Sequence, residues 1–185
     1  SVVVEDPCFL SSINMLRYAG FSANPASVDR EGMLPDQLEL ALQKGARAVI
    51  LTPRAHNPTG CSLSASRAAQ LQEILARYPQ TLVIVDDHFA LLSACHWYPV
   101  IAKETTHWAI VRSMSKTLGP DLRLAIVASD PLTSGKLRLR LNSGSQWVSH
   151  LLQDLACACL WKRRRFASPR GWAATVTATP MSPPA

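Results

Sequence analysis

SRAAQLQEILARYPQTLVIVDDHF, residues 66–89, changes its hydrophobic period within one short stretch. Up to Tyr78 the apolar side chains Leu71, Ile74 and Leu75 fall at helical spacing among Arg, Gln and Glu. After Pro79 the run 82–85 is continuously apolar and ends on two aspartates, the pattern of a strand buried on both faces. A helix feeding such a strand is the repeating unit of an α/β sheet.

The alternation continues in both directions. Upstream, 2–4 is a short apolar run, and 10–18 has helical spacing and stops at Gly20. Residues 21–28 read as extended, 35–44 as a helix closed by Gly45, and 48–52 as a buried strand. Downstream, 108–111 and 124–127 read as strands, and 132–141 and 147–160 as helices. This order predicts an α/β fold, a mostly parallel sheet flanked by helices on both faces. With 185 residues and no internal repeat, one domain is the expectation.

Composition narrows the function. Hydrophobic residues at 48% against 17% charged exclude disorder, and no apolar run approaches the roughly 20 residues of a membrane span. The start, SVVVEDPCF, has no signal-peptide pattern and reads as the inside of a gene product. The five cysteines show no disulfide or metal-ligand spacing, so no metal is expected and a reducing cytoplasm fits. The net charge of +6 is local: Lys162, Arg163, Arg164, Arg165 and Arg170 lie in the last 25 residues. Taking these five from 19 basic residues leaves 14 against 13 acidic ones, so the body is close to neutral and is not expected to bind DNA itself.

That last segment, 161–185, is basic and holds four of the 13 prolines without a sustained period. It reads as a tail for nucleic acid or membrane, or as an irregular end following a frame change. The uncapped run of the preceding helix into the new composition favours the second.

Four side chains stand just beyond the carboxyl ends of expected strands: Phe9, Asn57, Asp86 and Lys116. Ligands of open α/β sheets bind at that edge. An amine can form a Schiff base with an aldehyde, a carboxylate can hold a pyridinium proton, an amide can donate to a phenolate, and a ring can stack on a flat cofactor. Those are the requirements of pyridoxal phosphate. Ser113, Ser115 and Arg123 around Lys116 add donors suited to a phosphate.

HNPTG (56–60), VIVDDHF (83–89) and SMSKTLGPDLRLA (113–125) together resemble the signature segments of the fold-type I pyridoxal-phosphate enzymes, the class I/II aminotransferases. VEDPCF (4–9) resembles the segment whose aromatic residue stacks on the cofactor ring. Order and spacing agree over residues 1 to about 156. The resemblance implies pyridoxal 5'-phosphate as cofactor and Lys116 as the catalytic lysine that joins it. Asp86 would partner the pyridine nitrogen, Asn57 would bind the ring hydroxyl, Phe9 would stack, and Ser113, Ser115 and Arg123 would hold the phosphate. His88 stands where the pattern usually has a Tyr beside the ring oxygen, a departure that weakens the case for full transaminase chemistry.

The paired Asp86 and Asp87 and the seven residues from Lys116 to Arg123 are similar to MocR-type regulators, in which a GntR-like winged helix precedes an aminotransferase-like domain. HNPTG and DDHFALLS resemble the branch linked to vitamin B6 metabolism. The implied function is effector sensing in a transcriptional regulator, homodimeric when intact, with a small-molecule effector and DNA bound only through a winged helix outside this chain. The alternative is a fragment of an aminotransferase moving amino groups between amino acids and 2-oxo acids. On this resemblance, 1–160 is a partial large domain without the family's upstream phosphate turn or downstream small domain, and the isolated chain is expected to be inactive.

Each residue also has a plainer reading: Lys116 in an exposed Ser-rich loop, Asp86 and Asp87 ending a strand, NPTG as a simple turn, Phe9 in the core. His56 has no role on this reading. Cys61 and Cys95 are taken as buried small residues, the tryptophans as packing, and Arg138 and Arg140 as surface.

Overall fold

The computed structural model describes residues 1–144 and 148–166. Seven strands form one sheet in the order β3-β2-β1-β4-β5-β6-β7. The strands are β1 (Val2–Asp6), β2 (Ala23–Asp29), β3 (Gly32–Met33), β4 (Ala48–Leu51), β5 (Leu82–Asp86), β6 (His107–Ser113) and β7 (Ala125–Ser129). The helices are α1 (Leu10–Tyr18), α2 (Pro35–Gln43), α3 (Ala65–Ala76), α4 (Ser115–Leu118), α5 (Pro131–Asn142) and α6 (His150–Phe166). From β2 across to β6 all pairings are parallel, and the outer strands β3 and β7 pair antiparallel.

The chain starts in the middle of the sheet. It steps from β1 outward to β2 and β3, then returns past β1 to β4 and continues the other way. The strand order therefore reverses between β1 and β4, and a crevice opens outside their carboxyl ends.

Side-chain alternation along the strands sorts the apolar residues onto two faces. Val3, Val49, Leu51, Val83 and Val85 pack with Leu38, Ala41 and Leu42 of α2 and with Leu71, Ile74 and Leu75 of α3 in the main core. Val2, Val4 and Ala48 face the other way, with Leu16, Ile50 and Leu82 packed against them. Helix ends follow local chemistry. Ser64 Oγ accepts from Arg67 N–H to start α3, and Gly45, at φ 87°, closes α2 in a Schellman arrangement with Ala46 N–H bonded to Ala41 O. Arg67 then reaches Asp29 and the carbonyls of Gly32 and Met33, tying α3 to the β2–β3 hairpin.

Several expectations need correction. Helices α2 and α3, with the loop around Trp97–Ala102, pack over the main core on one face, but no residue of α1 or α5 is buried. Leu10, Met15, Tyr18, Ile126 and Val127 are exposed, so the second face is open rather than flanked on its whole width. The strand expected at 124–127 runs antiparallel, because only the eleven residues 114–124 separate β6 from β7, short of a parallel crossover. The helix expected over 147–160 is described from His150 and continues to Phe166, six residues into the segment expected to be irregular. The remainder of that segment, 167–185, lies outside the described residues. Cys61 is half-buried and Cys95 exposed.

Asp130 joins the last elements together. One carboxylate oxygen caps α5 by accepting from Thr133 N–H at 2.9 Å, and the other accepts from Trp108 N–H at 2.8 Å. Burial alone pushes this carboxyl up, but the hydrogen bonds from Thr133 and Trp108, with His107 nearby, hold it at about 2. A depressed carboxyl stabilises the fold above its unfolded value of 3.8, and that contribution is lost as pH falls through about 2. Urea melts of Asp130→Ala are expected to show a loss of about 1–2 kcal/mol at neutral pH, shrinking towards zero as the wild type is acidified through this window.

Candidate functional site

Strands β1, β4, β5 and β6 are contiguous and parallel, so whatever follows each of them emerges at one edge. Phe9 is the N-cap residue of α1, Asn57 lies in the turn after β4, Asp86 is the last residue of β5, and Lys116 lies three residues beyond β6. A crevice at the switch point is lined by Phe9, Asn57, Asp86 and His88 together with Glu5 and Thr52. Val4, Ile50 and Cys8 supply apolar wall, and Ser12 completes it. The crevice offers about 20 Å³ to the centres of water-sized groups, room for about one water, so a planar ligand would extend out of it into solvent.

The two adjacent aspartates have separate fates, dictated by the period of the strand. Asp87 points with Val83 and Val85 and is fully buried. Its carboxylate takes a two-point hydrogen bond from Arg54, Nε at 3.1 Å and Nη2 at 2.7 Å, and a third bond from Arg112 Nε at 2.9 Å. Both guanidiniums lie over the ring of Trp97, at 5.3 and 5.2 Å from its centroid. Asp86 points to the crevice, with its side chain 41% exposed and Oδ1 3.4 Å from His88 Nδ1, an ion-pair distance without hydrogen-bond alignment. It makes no ion pair with an arginine or lysine among the described residues.

Lys116, Ser113, Ser115 and Arg123 are not part of the crevice wall. Lys116 is exposed on the short helix α4, with Nζ 5.9 Å from the centroid of the Phe89 ring. That ring lies 4.5 Å from His88, so the lysine sits one ring behind the crevice lining. Ser113 Oγ accepts from Ser115 N–H at 3.3 Å, and Ser115 Oγ donates to Leu122 O at 2.8 Å. Arg123 is exposed. The turn is anchored by Met114 and Leu122, which bury against Ala156 of α6 with Leu152 and Leu160 beside them.

Two groups, Glu5 in the crevice wall and His56 buried against it, escaped the reading of the sequence. Glu5 is 4% exposed and His56 2%, and Glu5 Oε2 stands 3.2 Å from His56 Nε2 while accepting from Thr52 N–H at 3.0 Å. Burial alone pushes the His56 imidazole down, but the Cys61 sulfur and the Glu5 carboxylate outweigh it and raise it to about 9. The missed signal was the glutamate that closes the otherwise apolar run Val2–Val4. Its partner lies 51 positions away, which no local pattern shows. Ala55, between the two buried side chains Arg54 and His56, is held at φ 48°, a left-handed conformation that costs a non-glycine residue about 1–2 kcal/mol.

The chain belongs to the class I and II aminotransferase family, whose profile matches residues 1–171. It is 79% identical over 160 residues to the vitamin B6 salvage pathway transcriptional repressor PtsJ of Salmonella typhimurium, covering 86% of this chain and 37% of that protein. It is 31% identical over 162 residues to YdfD of Bacillus subtilis, described as an HTH-type transcriptional regulator, covering 80% of this chain and 32% of that one. The chain thus spans about a third of the length of these relatives. Among solved structures, LysN, an α-aminoadipate aminotransferase of Thermus thermophilus complexed with N-(5'-phosphopyridoxyl)-L-leucine, matches with a TM-score of 0.76 at 24% identity, covering 89% of this chain and 44% of that one. That likeness is one of fold.

Family and fold imply dependence on pyridoxal phosphate, and the crevice fits one part of it. A carboxylate without a cationic side-chain partner other than a histidine, set in a largely apolar wall beside an exposed aromatic ring, suits a flat heteroaromatic ring that carries a proton on nitrogen.

The aspartates are expected to separate cleanly in stability. Asp87→Ala leaves Arg54 buried without its counter-charge and is expected to cost about 3–5 kcal/mol in urea unfolding, whereas Asp86→Ala, solvent-screened, changes stability by under about 1 kcal/mol. A second expectation concerns His56. A raised imidazole stabilises the fold fully below its unfolded value of 6.5, and that contribution disappears as pH rises through about 9. The stability gap between wild type and His56→Ala is therefore expected to narrow between pH 6.5 and 9.

Proposed function

We propose that this chain is the pyridoxal-phosphate-responsive part of a transcriptional regulator of vitamin B6 metabolism, acting in the cytoplasm. The cofactor is its effector, and DNA is bound by a separate module of the intact, dimeric protein. The observation that carries this reading is the convergence of Phe9, Asn57, Asp86 and His88 on one crevice in a chain so similar to a repressor of vitamin B6 salvage.

When bound, the cofactor supplies an aldehyde that an amine can capture and a ring that withdraws electrons. The chain's own groups divide the remaining work. Asp86 would hold the proton of the ring nitrogen, and His88, 3.4 Å from that carboxylate, would serve the ring oxygen. Asn57 donates its amide to that oxygen, and Phe9, 52% exposed at the crevice mouth, covers the ring face. Lys116 would be the amine that meets the aldehyde, and Ser113, Ser115 and Arg123 would hold the phosphate. Lys116 Nζ is 5.9 Å from the Phe89 ring and outside the crevice wall, so engagement would require a rotamer change, which is open to an exposed lysine.

Pyridoxal phosphate added to the intact protein is expected to produce an absorbance band near the edge of the visible range that Lys116→Ala abolishes. A band unchanged in that variant overturns the assignment of Lys116. Asp86→Ala is expected to weaken binding about 10- to 100-fold, the effect of losing one charge-assisted hydrogen bond. A regulator also has to change its affinity for operator DNA when the cofactor binds. Amino-group transfer at about 1 per second or faster in single turnover with an amino acid, combined with DNA binding indifferent to the cofactor, overturns the regulator in favour of an enzyme.

A further inference from the structure

We propose that Glu5 and His56 form a buried positioning pair that sets the Asn57 side chain in the crevice, an inference that rests on the cofactor-binding reading above. Glu5 is the penultimate residue of β1, and its Oε2 joins the backbone of Thr52, just after β4, to the His56 imidazole. The other ring nitrogen of His56 is 2.8 Å from Thr59 Oγ1. The His56 backbone closes the turn as well: its N–H donates to Cys61 O, and its carbonyl accepts from Gly60 N–H. Imidazole and backbone are thus fixed on every side, and the residue that follows is Asn57 in the crevice wall.

Packing alone does not account for this arrangement. Residues 2–4 are all valine, and a further apolar side chain at position 5 meeting an apolar one at 56 would fill the space without desolvating a carboxylate. Glu5 Oε1 is also buried with no hydrogen-bond partner, a further cost. A buried charge pair kept where an apolar pair would also fill the space specifies geometry besides its pH-dependent contribution to stability, and what it specifies here is the turn that carries Asn57. An asparagine amide has a broad terminal torsion and hydrogen-bonding groups on both sides. It donates to one ligand atom only when its backbone is held.

The test uses the intact protein, with Glu5→Gln, which keeps shape and an acceptor but removes the charge, and His56→Gln as the second variant. Circular dichroism and thermal melts establish that each is folded. Two readouts follow: the Asn57 side-chain amide resonances without ligand, and the absorbance band with pyridoxal phosphate together with the pH midpoint of that band. Both variants are expected to move the Asn57 resonances, raise the dissociation constant for pyridoxal phosphate about 3- to 10-fold, and shift the pH midpoint. The double variant is expected to lose no more than the worse single one, since the two residues act as a unit. A folded Glu5→Gln protein with unmoved Asn57 resonances and an unchanged band overturns the positioning role. A wild-type protein that gives no band overturns the cofactor reading instead, and the amide resonances alone then decide the pairing.

Discussion

Asp87 has no solvent exposure and holds two guanidiniums, one from the segment after β4 and one from β6. Its attachment spans three neighbouring strands at the edge where the site lies. With Asp87 committed to the α2–α3 side, the two-residue period of β5 leaves Asp86 no direction but the crevice. The same charge cluster fixes Arg54, two residues before His56, and so fixes the start of the turn that delivers Asn57. The Trp97 ring lies against both guanidiniums and adds cation–π attraction to the shared carboxylate. Removing one member exposes the others to an unpaired burial that the low dielectric of the interior makes expensive.

Most of the scaffold was legible because its elements carry strong periodic signals. The helix read at 10–18 matches α1 from end to end, and the buried runs at 48–52 and 82–85 match β4 and β5 to within a residue. The contiguity of β1, β4, β5 and β6 followed from nothing local, yet four ligand-type residues beyond four strand ends already pointed to a shared edge. The misses share a cause. The two-residue strand β3 is too short for a periodic signal, and the direction of β7 depends on loop length more than on its composition. The Glu5–His56 pair joins residues whose separate contexts, the end of an apolar run and the first letter of an NPTG turn, say nothing of each other. Likewise, the resemblance singled out Asp86 of the two aspartates, but nothing in the letters DD shows that Arg54 and Arg112 claim its neighbour.

The remaining asymmetry lies between the two halves of the site. Phe9, Asn57 and Asp86 are carried by strands whose inner residues sit in the main core, beneath α2 and α3. Lys116 is carried by α4, four residues with none buried, held through Met114 and Leu122 against Ala156 in a much smaller cluster. Local stability follows buried apolar contact, so the ring-binding wall is the rigid half and the lysine turn the more easily displaced one. That smaller cluster is shared with α6, so the placement of the lysine turn depends on the packing of α6. A ligand that met both halves would join a fixed wall to a turn whose position depends on the packing of α6, and its binding would be coupled to that packing.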